Sequence, residues 1–135
     1  MASVLYVVNN TTQSVDANGV INLGTIIHKN NQSQANVSGN NIVIKGTGYF
    51  NISVNLTYTA SATGDVVTQV YVNGTPVTGA ITTNTVATAS TQSIRANINT
   101  EILKAYHCND TIITIVNTGI AASYTNIAVR IKRDA

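Results

Sequence analysis

The chain has 135 residues and a mass of 14.2 kDa, and only 9% of its residues are charged, whereas a soluble globular protein usually carries about 25%. Hydrophobic residues make up 44%, which excludes intrinsic disorder, because disorder requires low hydrophobicity and high net charge. The seven basic and five acidic residues are scattered singly, so the chain lacks the basic stripe of a nucleic-acid-binding protein. Val, Ile, Thr and Asn dominate a composition that is typical of strands and turns.

Short apolar runs separated by Gly and Asn predict an all-β fold. No stretch of ten or more residues has helical periodicity, and residues 100–108, the nearest candidate, are predicted to continue the strand before them. We therefore expect one domain over residues 1–135, a sandwich or barrel of eight to ten short strands. In chain order, the clearest strands are predicted at residues 4–8, 20–27, 42–45, 50–58, 66–72, 94–102, 111–117 and 127–131.

Three of these segments have a hydrophobic period of two, and the alternation is strict over residues 50–58. In residues 50–58 every second position from Phe50 to Tyr58 is apolar, and Asn, Ser or Thr stands between them. Residues 94–102 and 127–131 show the same period of two. Such alternation is typical of a strand with one face on a core and the other exposed.

Turn residues give further expectations. Asn73-Gly74 lies between two short β-like runs and predicts a type I′ hairpin, because both positions of that turn require positive φ. Pro76 cannot donate a ladder hydrogen bond, which predicts a strand at a sheet edge. Residues 82–92 are rich in Thr, Ala and Ser and are expected to form a loop.

The candidate metal ligands do not form a recognisable site in the sequence. His28 follows two isoleucines at the expected end of a strand, and His107 adjoins Cys108, the only cysteine. Neighbouring strand residues point to opposite faces, so we interpret His107 and Cys108 as a loop histidine and a small buried thiol. Three symmetry copies of one histidine on an axis remain an alternative. For calcium, Asp65 and Asp110 are interpreted as turn formers.

The sequence contains no enzyme signature, and we predict no catalytic residues and no cofactor. It has no Gly-x-Ser-x-Gly elbow, and its five acidic residues support no pair of carboxylates for glycoside hydrolysis. The longest apolar run has five residues, which predicts no membrane span. We also expect no secretory signal, because a basic region and a cleavage site are missing at the N-terminus.

The order of the pieces from residue 39 onward is distinctive. A short strand is followed by a Gly-x-Phe start of a long alternating strand, an Asn-Gly hairpin, another long strand, an Asn-Asp turn and a C-terminal strand. In this order the chain resembles the complement C1q-like and tumour-necrosis-factor-like jelly roll, most of all its bacterial and bacteriophage members. The pieces are residues 41–44, 48–54, 70–74, 98–102, 108–112 and 124–131.

The resemblance implies an antiparallel jelly-roll β-sandwich that forms a homotrimer. In such trimers one sheet turns its non-core face toward the three-fold axis, and we expect Arg95 or Arg130 to meet Glu101 across a subunit boundary. The interface is expected to be polar and bridged by water. In this chain, the resemblance implies that the face toward the axis consists of Tyr49, Asn51, Ser53, Asn55, Thr57, Arg95, Asn97, Asn99, Glu101, Ala128, Arg130 and Lys132.

The resemblance also implies a function without catalysis. We expect a structural or adhesive virion protein of a bacteriophage, assembled in the host cytoplasm as a head fibre, capsid decoration or tail tip. Residues 1–10, with the strand at 4–8, are expected to anchor it to other virion or coat proteins.

Two alternatives remain open. One is a carbohydrate- or receptor-binding module that uses the loop at 82–92 or Tyr106 and Tyr124 to bind a host-surface glycan. The other is a spore- or cell-surface coat protein, although the chain lacks the Gly-x-y collagen tract of stalked spore proteins.

Overall fold

The computed structural model describes residues 4–29, 35–45, 47–60, 62–86, 90–104 and 110–133, and these residues form twelve strands and no helix. The predicted all-β fold is confirmed. The strands are β1 (Val4–Asn9), β2 (Gln13–Val15), β3 (Gly19–Val20), β4 (Thr25–Lys29), β5 (Ala35–Ser38), β6 (Asn41–Ile44), β7 (Gly48–Ala60), β8 (Gly64–Val72), β9 (Thr75–Val86), β10 (Ser90–Lys104), β11 (Thr111–Asn117) and β12 (Ala122–Arg133).

The strands pair in a nested order. β1 pairs with β12, β6 with β11, β7 with β10 and β8 with β9, all antiparallel. The outermost strands along the chain thus pair with each other, and so do the successive inner ones. This winding of one long antiparallel ribbon into two sheets is the jelly roll.

Two six-stranded sheets result. Sheet A has the order β10-β7-β12-β1-β4, with β2 also pairing with β12. Sheet B has the order β5-β6-β11-β8-β9, with β3 also pairing with β11. The core between the sheets is built from aliphatic side chains, Phe50 and two tyrosines.

The three segments with a period of two all lie in sheet A, on the neighbouring strands β10, β7 and β12. Their predicted core residues are buried, with Phe50 and Val54 on β7 and Ile127 on β12 fully inaccessible to solvent. On β10, Ile98 is buried, and Ile94 and Ile102 are half-buried against the core. The period of two therefore identified the correct inward face on each strand.

The predicted hairpin between β8 and β9 is confirmed. Asn73 and Gly74 both have positive φ, 52° and 80°, and Val72 pairs with Thr75 across the turn. The Asn73 side chain also accepts a hydrogen bond from the Ile112 N–H (2.9 Å), which fastens the turn to β11. Pro76 lies on β9, the edge strand of sheet B, where its missing N–H costs no ladder bond.

The single strand predicted at residues 20–27 is wrong. The structure divides this segment into β3 in sheet B and β4 in sheet A. Gly24 between them has φ of 81°, and a Cβ there would lie 2.3 Å from the Val8 carbonyl oxygen. The change of sheet needs this turn, and it accounts in part for twelve strands in place of eight to ten.

The loop predicted at residues 82–92 is also wrong. Residues 82–86 belong to β9 and pair with β8, and residues 90–92 belong to β10, while residues 87–89 lie outside the described residues. The Thr-rich composition predicts a loop, but residues 82–86 form part of a strand whose inward positions are Ala80 and Val86. β-branched Thr fits such a strand well.

Residues 4–8, the strand of the predicted N-terminal anchor, form β1 of sheet A, and the anchoring to another protein stays a prediction. β1 lies inside sheet A, with β12 on one edge and β4 on the other. Leu5 and Val7 are fully buried in the core. Both hydrogen-bonding edges of β1 are thus occupied within the chain, and the strand is a structural part of the domain.

Candidate functional site

The predicted subunit-contact residues lie together on the outward side of sheet A, which we call the polar face. Strand register sets them in rows across β10, β7 and β12. Glu101, Asn51 and Lys132 form one row, and the next contains Asn99 and Ser53 with Arg130 beyond them. Two further rows complete the polar face: Asn97, Asn55 and Ala128, and then Arg95, Thr57 and Asn126.

Side-chain amides on the polar face bond to each other across the strands. Asn51 Nδ2 donates to Asn99 Oδ1 (3.2 Å), and Ser53 Oγ donates toward the Oδ1 atoms of Asn51 (3.3 Å) and Asn99 (3.4 Å). A longer contact joins Asn97 Nδ2 to Asn55 Oδ1 (3.5 Å). Each amide offers two donors and two acceptor positions, so these bonds leave hydrogen-bonding capacity for another molecule.

The polar face carries four charged side chains, all of them exposed: Arg95, Glu101, Arg130 and Lys132. Three cations and one anion give this surface a net positive charge. Within the part of the chain that the structure describes, no ion pair joins Glu101 to any of these three cations. In a single chain, the charges of the polar face are therefore not neutralised by ion pairs within that face.

The polar face is not uniform in polarity or exposure. Tyr49 at one end of β7 is 46% exposed, while Ala128 in the middle is nearly buried by its neighbours. Asn97, Thr57 and Asn126 line a shallow depression of about 520 Å³ together with Arg95.

Register extends the polar face beyond the predicted residues. Tyr6 on β1 lies opposite Arg130, and His28 on β4 lies opposite Tyr6. The sequence did not indicate Tyr6, because residues 4–8 form a continuous apolar run in which the outward positions cannot be distinguished. His28 lies beside it only through the pairing of β4 with β1. Only the pairing of β1 with β12 places Tyr6 there.

The candidate metal ligands are dispersed. Among the described residues, no three of the His, Cys, Asp and Glu side chains lie close enough to hold an ion. His28 is exposed on β4, and His107 and Cys108 lie outside the described residues. Asp110 is exposed just before β11. The interpretation of Asp65 as a turn former is wrong, because it lies within β8 and accepts a hydrogen bond from Thr85 Oγ1 (2.8 Å).

Tyr124, proposed as a sugar-stacking residue, is only 1% exposed and cannot present its ring to a ligand. Its ring lies 5.4 Å from that of Tyr58, and its hydroxyl shares a 2.8 Å hydrogen bond with Thr68 Oγ1. Burial raises the pKa of Tyr124 to about 12, and it also raises the pKa of Tyr58, whose hydroxyl accepts a hydrogen bond from Asn84. Tyr106 lies outside the described residues.

No helix in the described residues has the length and apolar character needed to cross a membrane. No protein-family model matches the sequence, and neither does any curated protein.

Solved structures share the fold. Eiger TNF from S. frugiperda matches with a TM-score of 0.69 at 9% identity, over 100% of this chain and 92% of that chain. The globular domain of zebrafish complement 1qA matches with a TM-score of 0.62 at 10% identity, over 96% and 94%. PRD1 vertex protein P5 matches with a TM-score of 0.63 at 14% identity, over 97% and 95%. The resemblance to the C1q- and TNF-like jelly roll is confirmed as a fold.

Proposed function

We propose that the chain is a non-enzymatic structural or adhesive protein that acts as a homotrimer, with the polar face of sheet A as the contact between subunits. The observation that supports this most directly is the chemistry of that face. It combines a flat array of hydrogen-bonding amides with three cations and one anion that have no ion pair in the described chain.

A three-fold assembly offers partners to Glu101 and to the amides, while the ratio of three cations to one anion is the same in every subunit. Glu101 of one subunit can pair with Arg130 or Arg95 of the next, and amides that are only partly bonded can bond across the boundary. Ion pairs that leave water are stable only when both partners and their remaining hydrogen bonds are present. The likeness in fold to C1q- and TNF-like domains supports the same arrangement.

Within this class we propose a bacteriophage virion component, such as a head fibre, capsid decoration or tail tip. The support is the shared fold with PRD1 vertex protein P5, a phage vertex protein. The few charges and the continuous β-structure suit a rigid displayed module. Mass spectrometry of purified particles from the source tests this, and we expect the chain in a copy number divisible by three. Its absence from particles would contradict the virion role.

The trimer is tested by light scattering after size exclusion. We expect a mass near three times 14.2 kDa for the native chain. Arg130→Glu should dissociate it, because the new carboxylate repels Glu101, and the charge swap of Arg130→Glu with Glu101→Arg should restore the trimer. Lys45→Glu is the matched control, since it makes the same charge reversal on an exposed residue after β6.

Two results would overturn the proposed contact. One is a monomer at every protein concentration. The other is a trimer that survives Arg130→Glu as well as it survives Lys45→Glu, which would place the contact on another surface.

A further inference from the structure

A second polar depression, of about 570 Å³, lies where β1 ends and β4 begins, and we call it the amide pocket. Its walls come from one chain, so its existence does not depend on the trimer. We propose that the amide pocket binds a neutral saccharide. The residues on which the argument rests are Asn9, Thr11, Gln13, Asn22 and Thr25.

Hydrogen bonds to the backbone fix three of the four side-chain amides of the pocket, those of Asn9, Gln13 and Asn22, and the fourth is Asn10. The Gln13 side chain bonds the Asn22 backbone twice, with Nε2 donating to its carbonyl oxygen (2.8 Å) and Oε1 accepting from its N–H (2.9 Å). Asn9 Nδ2 donates to the same carbonyl oxygen (2.9 Å). These side chains are thus held in place before a ligand arrives, which lowers the entropic cost of binding.

The same bonds decide which polar atoms face the pocket. The amide oxygens of Asn9, Gln13 and Asn22 accept from the backbone N–H groups of Thr11, Asn22 and Gly24, each at 2.9 Å. Each amide has two donors and two acceptor positions, so Gln13 keeps unused capacity of both kinds and Asn9 keeps an acceptor position. The Asn22 oxygen also accepts from Asn9 Nδ2 (3.4 Å), so the unused capacity of Asn22 lies on its NH₂ group. The Asn22 NH₂ donates no hydrogen bond to any residue that the structure describes. The pocket therefore presents both N–H donors and amide oxygen acceptors, together with the exposed hydroxyls of Thr11 and Thr25.

The pocket wall at Gly24 consists of bare backbone. A Cβ there would lie 2.3 Å from the Val8 carbonyl oxygen and 2.6 Å from Asn9 Cβ, so the two segments are in direct contact. Positive φ at this glycine gives a second reason why a side chain is excluded. The arrangement brings the Asn22 amide beside the end of β1.

The character of the lining selects the class of ligand. None of the described residues around the pocket is charged, so an ionic ligand would lose hydration without gaining a counter-charge. Val8 supplies the one hydrophobic side chain, too little for an apolar ligand. A saccharide suits both features, since its hydroxyl and ring oxygens accept hydrogen bonds and its C–H groups can contact Val8. The volume lies in the range of small-molecule sites.

An NMR titration of the amide signals with glucose, galactose, mannose and N-acetylglucosamine tests the inference. We expect at least one sugar to shift signals from residues 8–13 and 22–25, with a Kd on the order of 1 mM. Asn22→Asp keeps the oxygen that accepts from Gly24 but replaces the NH₂ donor with a carboxylate oxygen. It should weaken binding about 10-fold, the loss of roughly 1.4 kcal/mol.

Asn36→Asp is the matched control, because the Asn36 Oδ1 also accepts a backbone hydrogen bond, from Val37 (2.9 Å), on exposed β5 of the other sheet. It should bind the sugar as the native chain does. If Asn22→Asp fails to fold, Thr25→Val removes an exposed hydroxyl from the pocket and should weaken binding several-fold.

Three results would overturn the inference: no signal shift with any of the four sugars, equal binding by Asn22→Asp and the native chain, or shifts at the pocket with inorganic phosphate in place of sugar. Arg130→Glu separates this inference from the proposed trimer. That variant should change the mass and leave sugar binding intact.

Discussion

The outward faces of the two sheets differ in composition, and the difference explains which strands the sequence revealed. The central strands of sheet A expose Asn, Ser, Thr and charged residues, so polar and apolar positions alternate visibly. The strands of sheet B also alternate in burial, but their outward positions include Val43, Val67, Ile81 and Ile112. Apolar residues on both faces obscure the period of two, although the backbone geometry is the same.

The contrast also separates two kinds of surface. The polar face of sheet A contains hydrogen-bonding groups and four charges, whereas sheet B exposes Ile81 (44%) and Ile112 (39%) among threonines. Single exposed aliphatic residues are common on proteins and need no partner. Cations without an ion pair beside amides with free capacity require more explanation, which is why the proposed contact lies on sheet A.

The largest expected effect comes from deleting residues 1–10. β1 joins β12 to β4 inside sheet A, and Leu5 and Val7 are fully buried, so the deletion should abolish the cooperative thermal transition. Leu5→Ala alone should cost about 2–5 kcal/mol in the free energy of unfolding. Val4→Ala, at a half-buried outward position, is the control. A deleted chain that still unfolds cooperatively at the native temperature would support a removable anchor.

Two neighbouring isoleucines on β11, Ile112 and Ile113, test whether the outward face of sheet B is exposed. Ile113 is fully buried, and Ile113→Ala should lower the free energy of unfolding by about 2–5 kcal/mol. Ile112, next to it, faces outward, and Ile112→Ala should cost less than about 1 kcal/mol. Urea denaturation measures both. Equal losses would mean that the outward face of sheet B is covered, and the contrast between the sheets would fail.

These cases show how far the sequence could predict the fold. Strict alternation, the Asn73-Gly74 turn and Pro76 identified strand faces, a hairpin and an edge, because each depends on local chemistry. The change of sheet at Gly24 was missed, since it depends on contact with Val8, which is distant in sequence. The extension of β9 over residues 82–86 was missed because the Thr-rich composition of that segment predicted a loop.

The candidate site likewise contains residues that the sequence could predict and residues that it could not. The outward residues of β7, β10 and β12 could be predicted. The order of segments that the chain shares with the C1q- and TNF-like jelly roll indicates which strands form the face, and the period of two indicates which residues on them point outward. Tyr6 and His28 could not, since only the pairing of β1 with β12 and β4 brings them there. The amide pocket depends on Gln13 bonding the backbone of Asn22, a contact between separate segments that leaves no periodic signal.

A smaller effect is expected where the two sheets are joined through the core. Tyr124 on sheet A bonds Thr68 on sheet B, and Thr68 is fully buried. Tyr124→Phe leaves the Thr68 hydroxyl without its hydrogen-bond partner and should lower the free energy of unfolding by about 1–3 kcal/mol. Adding Thr68→Val should recover part of the loss, a coupling that a double-mutant cycle in urea measures. Additive losses would show that the bond contributes nothing beyond packing.

A loss of stability in alkali that depends on Tyr124 is also expected. Its pKa is raised to about 12 by burial, from 10 in the unfolded chain, so the folded protein keeps a proton that the unfolded chain releases. The free energy of unfolding contributed by this group is therefore constant below pH 10 and decreases between pH 10 and 12, by at most about 1.4 kcal/mol per pH unit. Urea denaturation from pH 8 to 12 measures the decrease, and Tyr6→Phe provides a control at a half-exposed position. In Tyr124→Phe the slope above pH 10 should be shallower, because the remaining decrease comes from Tyr58 and the other groups that titrate there. Identical slopes in Tyr124→Phe and the native chain would mean that sheet A and sheet B separate at this end before the tyrosine ionises.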